Sequence, residues 1–167
     1  MAKNPKYEEN FLRAFVRELN KRTGRDFFYM TSDHKSQDGY LMFKGEKFAL
    51  ELTQATNTEL EKANKRFVKR MEGGEDLSKI PDEEFGITPL EYRSAILSAL
   101  QKKVNKNYSD AKSRILVIDS VSVEDWEHIV NSTKFPEDLL NNFLAVYVFT
   151  PWIPETFYVE LKAFPYK

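Results

Sequence analysis

The chain has 167 residues, 41% of them hydrophobic and 31% charged, with a formal net charge of −1. That length suffices for one domain with a sizeable core, expected over residues 1–167, and the near-neutral balance supplies no global field to draw in a polyanion. Cysteine is absent, which excludes disulfides, thiolate zinc sites and a cysteine nucleophile.

No stretch approaches the length of a membrane span, and Met1 to Pro5 carry no apolar signal region, so a cytoplasmic protein with no membrane partner is expected. Aromatic residues make up 14%, including 13 Phe and 8 Tyr, which predicts an aromatic-rich core. No internal repeat or low-complexity segment stands out.

Residues 6–22 read as an amphipathic helix with Phe11, Leu12, Phe15, Val16 and Leu19 on one face, ended at Thr23-Gly24. Residues 26–30 read as a short apolar strand, followed by a polar loop over 31–37. Residues 39–54 read as a hairpin turning at Lys44-Gly45-Glu46. Thr58 and Glu61 form a capping box that starts a helix running to about Met71, with Leu60, Ala63, Phe67 and Met71 as its narrow apolar stripe. An acidic loop over 73–87 leads to a second capping box, Thr88-Pro89-Leu90-Glu91, and a helix to about Asn107.

Arg114 to Asp119 is a continuous apolar run, as expected of a strand buried on both faces. Ser122 to Asp125 caps a further helix through about Asn131, and Pro136 to Asn142 reads as one short helix more. Strands over 143–150 and 156–163 close the chain, joined by a turn at Pro151 to Pro154. Helix, three strands, two helices, strand, helix and two strands make an α/β fold with a mixed sheet flanked by helices.

The second and third strands carry the residues that point to chemistry. Side chains alternate faces along a strand, so Ala49, Glu51 and Thr53 share one face and Phe48, Leu50 and Leu52 the other. Glu51 is thereby set in the middle of an apolar strand, where a carboxylate is rarely buried unless paired or metal-bound. Asp38 opens the partner strand. Two carboxylates converging at a sheet edge form a hard oxygen site suited to Mg²⁺ or Mn²⁺. The plainer reading is turn chemistry at Asp38-Gly39 and a solvated carboxylate at Glu51.

The order of elements, with Asp38 opening the second strand and Glu51 on the third, resembles the PD-(D/E)XK nuclease superfamily over about residues 6–120. The resemblance implies a restriction-endonuclease-like sheet and metal-dependent hydrolysis of phosphodiester bonds, with DNA as the expected nucleic acid. It implies Asp38 and Glu51 as metal ligands for Mg²⁺ (or Mn²⁺). It departs from the family at Thr53, where the family carries a lysine that positions the attacking water and stabilises developing negative charge.

A family glutamate often lies on the first helix. At about 100° per residue, Glu8 falls near the centre of the apolar face of residues 6–22, which also fits an acid favoured in the first turn by the helix dipole. Lys103 borders the apolar face of Leu90, Ile96, Leu97, Leu100 and Val104, and is the candidate replacement for the missing lysine. Arg93 is its rival, and for both the bland alternative is a surface cation lying along apolar neighbours. Glu8, Asp38, Glu51 and Lys103 are therefore the expected catalytic residues.

Lys62, Lys65, Arg66, Lys69 and Arg70 make the helix over 58–71 basic, which suits phosphate contacts or simply a solvated face. His34 and His128 are too scattered for a histidine metal site, and Trp152 suits either base stacking or core cover. A different class of function also fits: a non-catalytic protein of nuclease fold, acting as an immunity protein or a regulatory nucleic-acid-binding module. Thr53 and the near-zero net charge favour that alternative.

Overall fold

The computed structural model describes residues 5–32, 37–55, 58–77, 89–119, 135–151 and 156–165. Helix α1 spans Pro5–Thr23, and three strands follow, β1 (Phe28–Met30), β2 (Gly39–Phe43) and β3 (Glu46–Gln54). Helices α2 (Thr58–Glu72) and α3 (Pro89–Asn105) lead through a 3-10 turn at Ala111–Ser113 to β4 (Ile115–Asp119). A short helix α4 (Glu137–Leu140) precedes β5 (Ala145–Thr150) and β6 (Phe157–Lys162). The expected helix over 122–131, Thr88, His34, His128 and Trp152 lie outside the described residues.

The strands form one open sheet in the order β1-β2-β3-β4-β5-β6. β1, β2 and β3 are an antiparallel meander, β3, β4 and β5 run parallel, and β6 returns antiparallel to β5. The architecture is thus α/β, a mixed sheet flanked by helices. No helix of the described residues is long and apolar enough to cross a membrane.

Alternation along the strands divides the core in two. Leu41, Leu50, Val117, Tyr147 and Phe149 face α1 and pack on Phe11, Leu12, Phe15, Val16 and Leu19. Phe11 meets Phe149 edge-on at 5.4 Å, and Phe15 lies 5.1 Å from Tyr147. On the other face Leu116, Ile118, Val146 and Val148 pack on Tyr92, Ala95, Ile96, Ala99 and Leu100 of α3. Each such large side chain, fully buried, contributes about 1.5–3 kcal/mol, so the two helices clamp the parallel strands from both sides. Glu51 pairs in register with Leu116, which places it on the α3 face.

Several boundaries differ from the sequence-based expectation, each for a local reason. The first strand starts at Phe28 rather than residue 26, because the Asn20 side chain takes both backbone groups of Phe27, at 2.8 and 2.9 Å. It is an edge strand, with Phe28 68% exposed. The hairpin turn is the two-residue Lys44-Gly45, both at positive φ (50° and 80°), with Glu46 already paired to Phe43; that geometry suits the twist of the flanking strands. α3 ends at Asn105 because Asn107 adopts a left-handed φ of 52° and returns its N–H to Val104 O at 3.0 Å. Arg114 precedes β4 instead of opening it, its N–H held by Ala111 O at 3.0 Å and its carbonyl by Leu144 N at 2.9 Å. That last bond also keeps Leu144 ahead of β5.

Candidate functional site

Glu51 is 3% exposed on the α3 face of β3, and its two oxygens are held differently. Oε1 accepts a hydrogen bond from Arg114 Nη1. Oε2 lies 3.5 Å from Lys103 Nζ and 3.4 Å from the Tyr108 hydroxyl. The first is a tight charge-assisted bond; the other two are long for hydrogen bonds. Oε2 is therefore the loosely held oxygen.

Asp38 joins this group from β2. It stands one residue ahead of Gly39, which pairs with Leu50, and so continues the ladder beside Glu51. Its backbone N–H donates to Leu50 O at 3.0 Å, and its Oδ2 accepts the Leu52 N–H at 2.8 Å. The carboxylate thus serves a strand N–H, a bond worth about 1.5–3 kcal/mol to a charged acceptor. Gly39 leaves room for a neighbouring ring. A Cβ at that position would stand 2.6 Å from Tyr29 Cε2, because the Tyr29 ring lies across the glycine with its hydroxyl 3.5 Å from Asp38 O.

Lys103, in the last turn of α3, is 6% exposed, so it is buried against the sheet and not a surface cation. Its helix is held over Leu116 and Val146 by Ile96, Ala99 and Leu100. Arg93 lies elsewhere on the same helix, with its guanidinium 6.0 Å above the Phe135 ring. Of the two rivals it is Lys103 that meets Glu51. Glu8 sits on α1, where it acts with Glu9 and Asp38 to raise the pKa of the Tyr29 hydroxyl, an effect led by burial. Thr53 is half-buried on the Glu51 face.

Arg114 and Tyr108 complete the group, and neither is among the expected catalytic residues. Arg114 is 5% exposed. Its Nε donates to Asp110 Oδ1 at 2.7 Å, and its guanidinium stacks on the Tyr108 ring at 4.3 Å. Asp110 is exposed and, with Tyr108, lines an open cleft of about 460 Å³, so the network runs from solvent to the buried Glu51. The sequence signal was a basic residue immediately before the apolar run Ile115 to Ile118, four positions after an aspartate. Spacing alone could not reveal its partner across the sheet.

The electrostatics follow from burial. Desolvation pushes the Glu51 pKa above the usual carboxylate value; Lys103 pulls it down, Asp38 pushes it up and Arg114 pulls it down. Burial, followed by Glu51, raises the Tyr108 phenol. The Arg114 guanidinium is raised by its Asp110 hydrogen bond and by the Glu51 charge, against desolvation. Lys103 and Arg114 both face Glu51, and Arg114 shares its charge with Asp110.

A second buried carboxylate lies on the α1 face. Asp119, at the end of β4, accepts from the Tyr7 hydroxyl at 3.1 Å and from Thr150 Oγ1 at 3.0 Å. It ties the start of α1 to the ends of β4 and β5, and burial together with the Asp119 charge raises the Tyr7 phenol well above its ordinary pKa.

Among the described residues, no three or more Asp, Glu, His or Cys side chains gather as a metal cage. Mg²⁺ does not need one, since it commonly takes one or two carboxylates and keeps several waters. Asp38 with the loosely held Oε2 of Glu51 fits that modest requirement. The chain matches no protein-family model, no curated protein and no solved structure.

Proposed function

We propose that the protein is a metal-dependent nuclease of PD-(D/E)XK type, hydrolysing phosphodiester bonds in DNA. The observation that carries this reading is the meeting of Lys103 with Glu51, at 3.5 Å, beside Asp38. Three separate elements deliver two carboxylates and an ammonium to one place, although β3 itself offers Thr53 where a lysine is needed. Asp38 Oδ and Glu51 Oε2 would hold Mg²⁺ (or Mn²⁺), which when bound neutralises the scissile phosphate and acidifies a water. Lys103 places positive charge where negative charge develops on the phosphoryl oxygens. Burial of Glu51 and Lys103 strengthens that interaction by excluding competing water.

The exposed residues Lys62, Lys65, Arg66 and Lys69 of α2 support the nucleic-acid part of the reading. They recur at helical spacing along one stripe, rising about 10 Å, and Lys and Arg neutralising phosphates supply most non-specific affinity. Arg70 turns instead to Glu75, Nε to Oε2 at 2.9 Å.

The bond from Arg114 to Glu51 favours a second reading, a nuclease-fold protein that binds nucleic acid without cutting it. A carboxylate already neutralised by arginine has less need of a metal. Incubation of plasmid and single-stranded DNA with the protein and Mg²⁺ or Mn²⁺ separates the two. Cleavage by the native chain that is lost in Glu51→Gln supports the nuclease. DNA binding with no cleavage under either metal establishes the second reading.

A further inference from the structure

Arg114 is fixed at every point along its length. Its backbone is bonded on one side to Ala111 and on the other to Leu144, its Nε to Asp110, its guanidinium plane to Tyr108 and its Nη1 to Glu51 Oε1. Such a residue has little freedom to release its partner. Glu51 is left with a single oxygen outside that grip, Oε2, which lies near Lys103 and the Tyr108 hydroxyl. The asymmetry between the two oxygens is itself the informative feature, because a carboxylate in an apolar strand needs only charge compensation, which Lys103 alone could give.

We propose that Arg114 is a positioning residue that makes Glu51 a one-oxygen ligand and so sets the site's preference for Mg²⁺ over Ca²⁺. The proposal rests on the metal-dependent reading above. Ca²⁺ takes six to eight oxygens at longer range and commonly uses both oxygens of a carboxylate, whereas Mg²⁺ takes six in a small octahedron and accepts single oxygens. A carboxylate with one oxygen locked to arginine offers Ca²⁺ half of its usual grip and costs Mg²⁺ nothing. Asp110 acts one step further out: it holds Nε and fixes the plane of the guanidinium. Removing partners at that distance from a metal commonly changes its affinity about 10–100-fold.

The test is calorimetric titration of the full chain with Mg²⁺ and with Ca²⁺, read as the ratio of the two affinities. The ratio is the useful quantity because loss of a nearby positive charge raises the affinity for both ions alike. The native chain should bind Mg²⁺ more tightly than Ca²⁺. Arg114→Met should shrink that ratio by roughly tenfold by freeing Oε1, and Arg114→Lys should restore part of it because one ammonium can still hold that oxygen. If Arg114→Met does not fold, Asp110→Ala provides the reading: Arg114 keeps its charge but loses its Nε anchor, and the ratio should shrink in the same direction by a smaller factor. An unchanged ratio in a folded Arg114→Met or in Asp110→Ala overturns the proposal and leaves the nuclease reading standing. A native chain that binds neither ion overturns both.

Discussion

Lys103 Nζ lies 3.5 Å from Glu51 Oε2, although the strand carrying Glu51 has Thr53 two residues further on. Positive charge is brought to that carboxylate from the last turn of α3. The helix is held by Ile96, Ala99 and Leu100 against the same sheet face that carries Glu51. The position of the ammonium is thus a consequence of core packing, not of a flexible side chain searching for a partner. Lys103→Met keeps the apolar stem and removes the charge, and Glu51 still has Arg114. We expect the cleavage rate to fall on the order of a hundredfold, as for loss of a preorganised electrostatic donor, with the fold retained by circular dichroism. Adding Thr53→Lys should return part of the rate. A Lys103→Met protein that cuts as fast as the native one removes Lys103 from the mechanism.

The buried Glu51 should leave a mark on stability as a function of pH. Burial raises its pKa in the folded protein above its value in the unfolded chain. Between those two values the folded state retains a proton that the unfolded state has lost. The contribution to stability is therefore full below the unfolded carboxylate pKa, about 4.3, and is lost as pH rises through the folded value. Glu51→Gln has no such titration. Urea midpoints measured from pH 4 upward, over a range of about three to four units, should fall for the native chain relative to Glu51→Gln as pH rises. Parallel curves would show that Glu51 does not titrate in that window.

Gly39 and Tyr29 should be energetically coupled. A Cβ on residue 39 would stand 2.6 Å from Tyr29 Cε2 and 2.8 Å from its hydroxyl oxygen. Gly39→Ala must push the ring off β2, with a cost of about 1–3 kcal/mol, as for other overpacking substitutions. In a Tyr29→Ala background the three atoms nearest the added methyl are gone, and most of that cost should vanish. Denaturant unfolding of the four proteins gives the coupling directly. Additive effects would mean that the ring does not rest on Gly39 in solution.

The placement of Asp38 and Glu51 on one face was legible because strand alternation is a strict period, and Glu51 stands out as the charge between Leu50 and Leu52. The helical phase of Lys103 against Ile96 and Leu100 was legible for the same reason. What decided between Lys103 and Arg93 was not phase but tertiary position, since Arg93 lies beside Phe135, brought in by the segment before α4. Arg114 was hidden because it precedes its strand, where no period constrains it, and its partner Glu51 becomes a neighbour only through the parallel pairing of β3 with β4. The first strand is apolar in sequence, yet Phe28 and Met30 are exposed; composition does not reveal that a strand lies at the edge of a sheet.

The basic stripe of α2 yields the final prediction. Lys62, Lys65 and Lys69 are exposed on one side of the helix, while the chain as a whole carries a net charge of −1. If DNA lies along this stripe, the attraction is local, and its salt dependence counts the phosphates involved. Binding of a fluorescent duplex should be measured with Glu51→Gln and no divalent ion, so that neither cleavage nor metal affects the reading. Replacement of Lys62, Lys65 and Lys69 by glutamine should weaken binding and flatten the plot of log affinity against log salt concentration. Each phosphate that is no longer neutralised should reduce the slope by about 0.9, a change of about two to three if all three lysines bind phosphates. The weakening should be alike for unrelated sequences, because phosphate contacts carry no base information. An unchanged slope in the triple variant would place the nucleic-acid surface elsewhere and leave α2 as a solvated face.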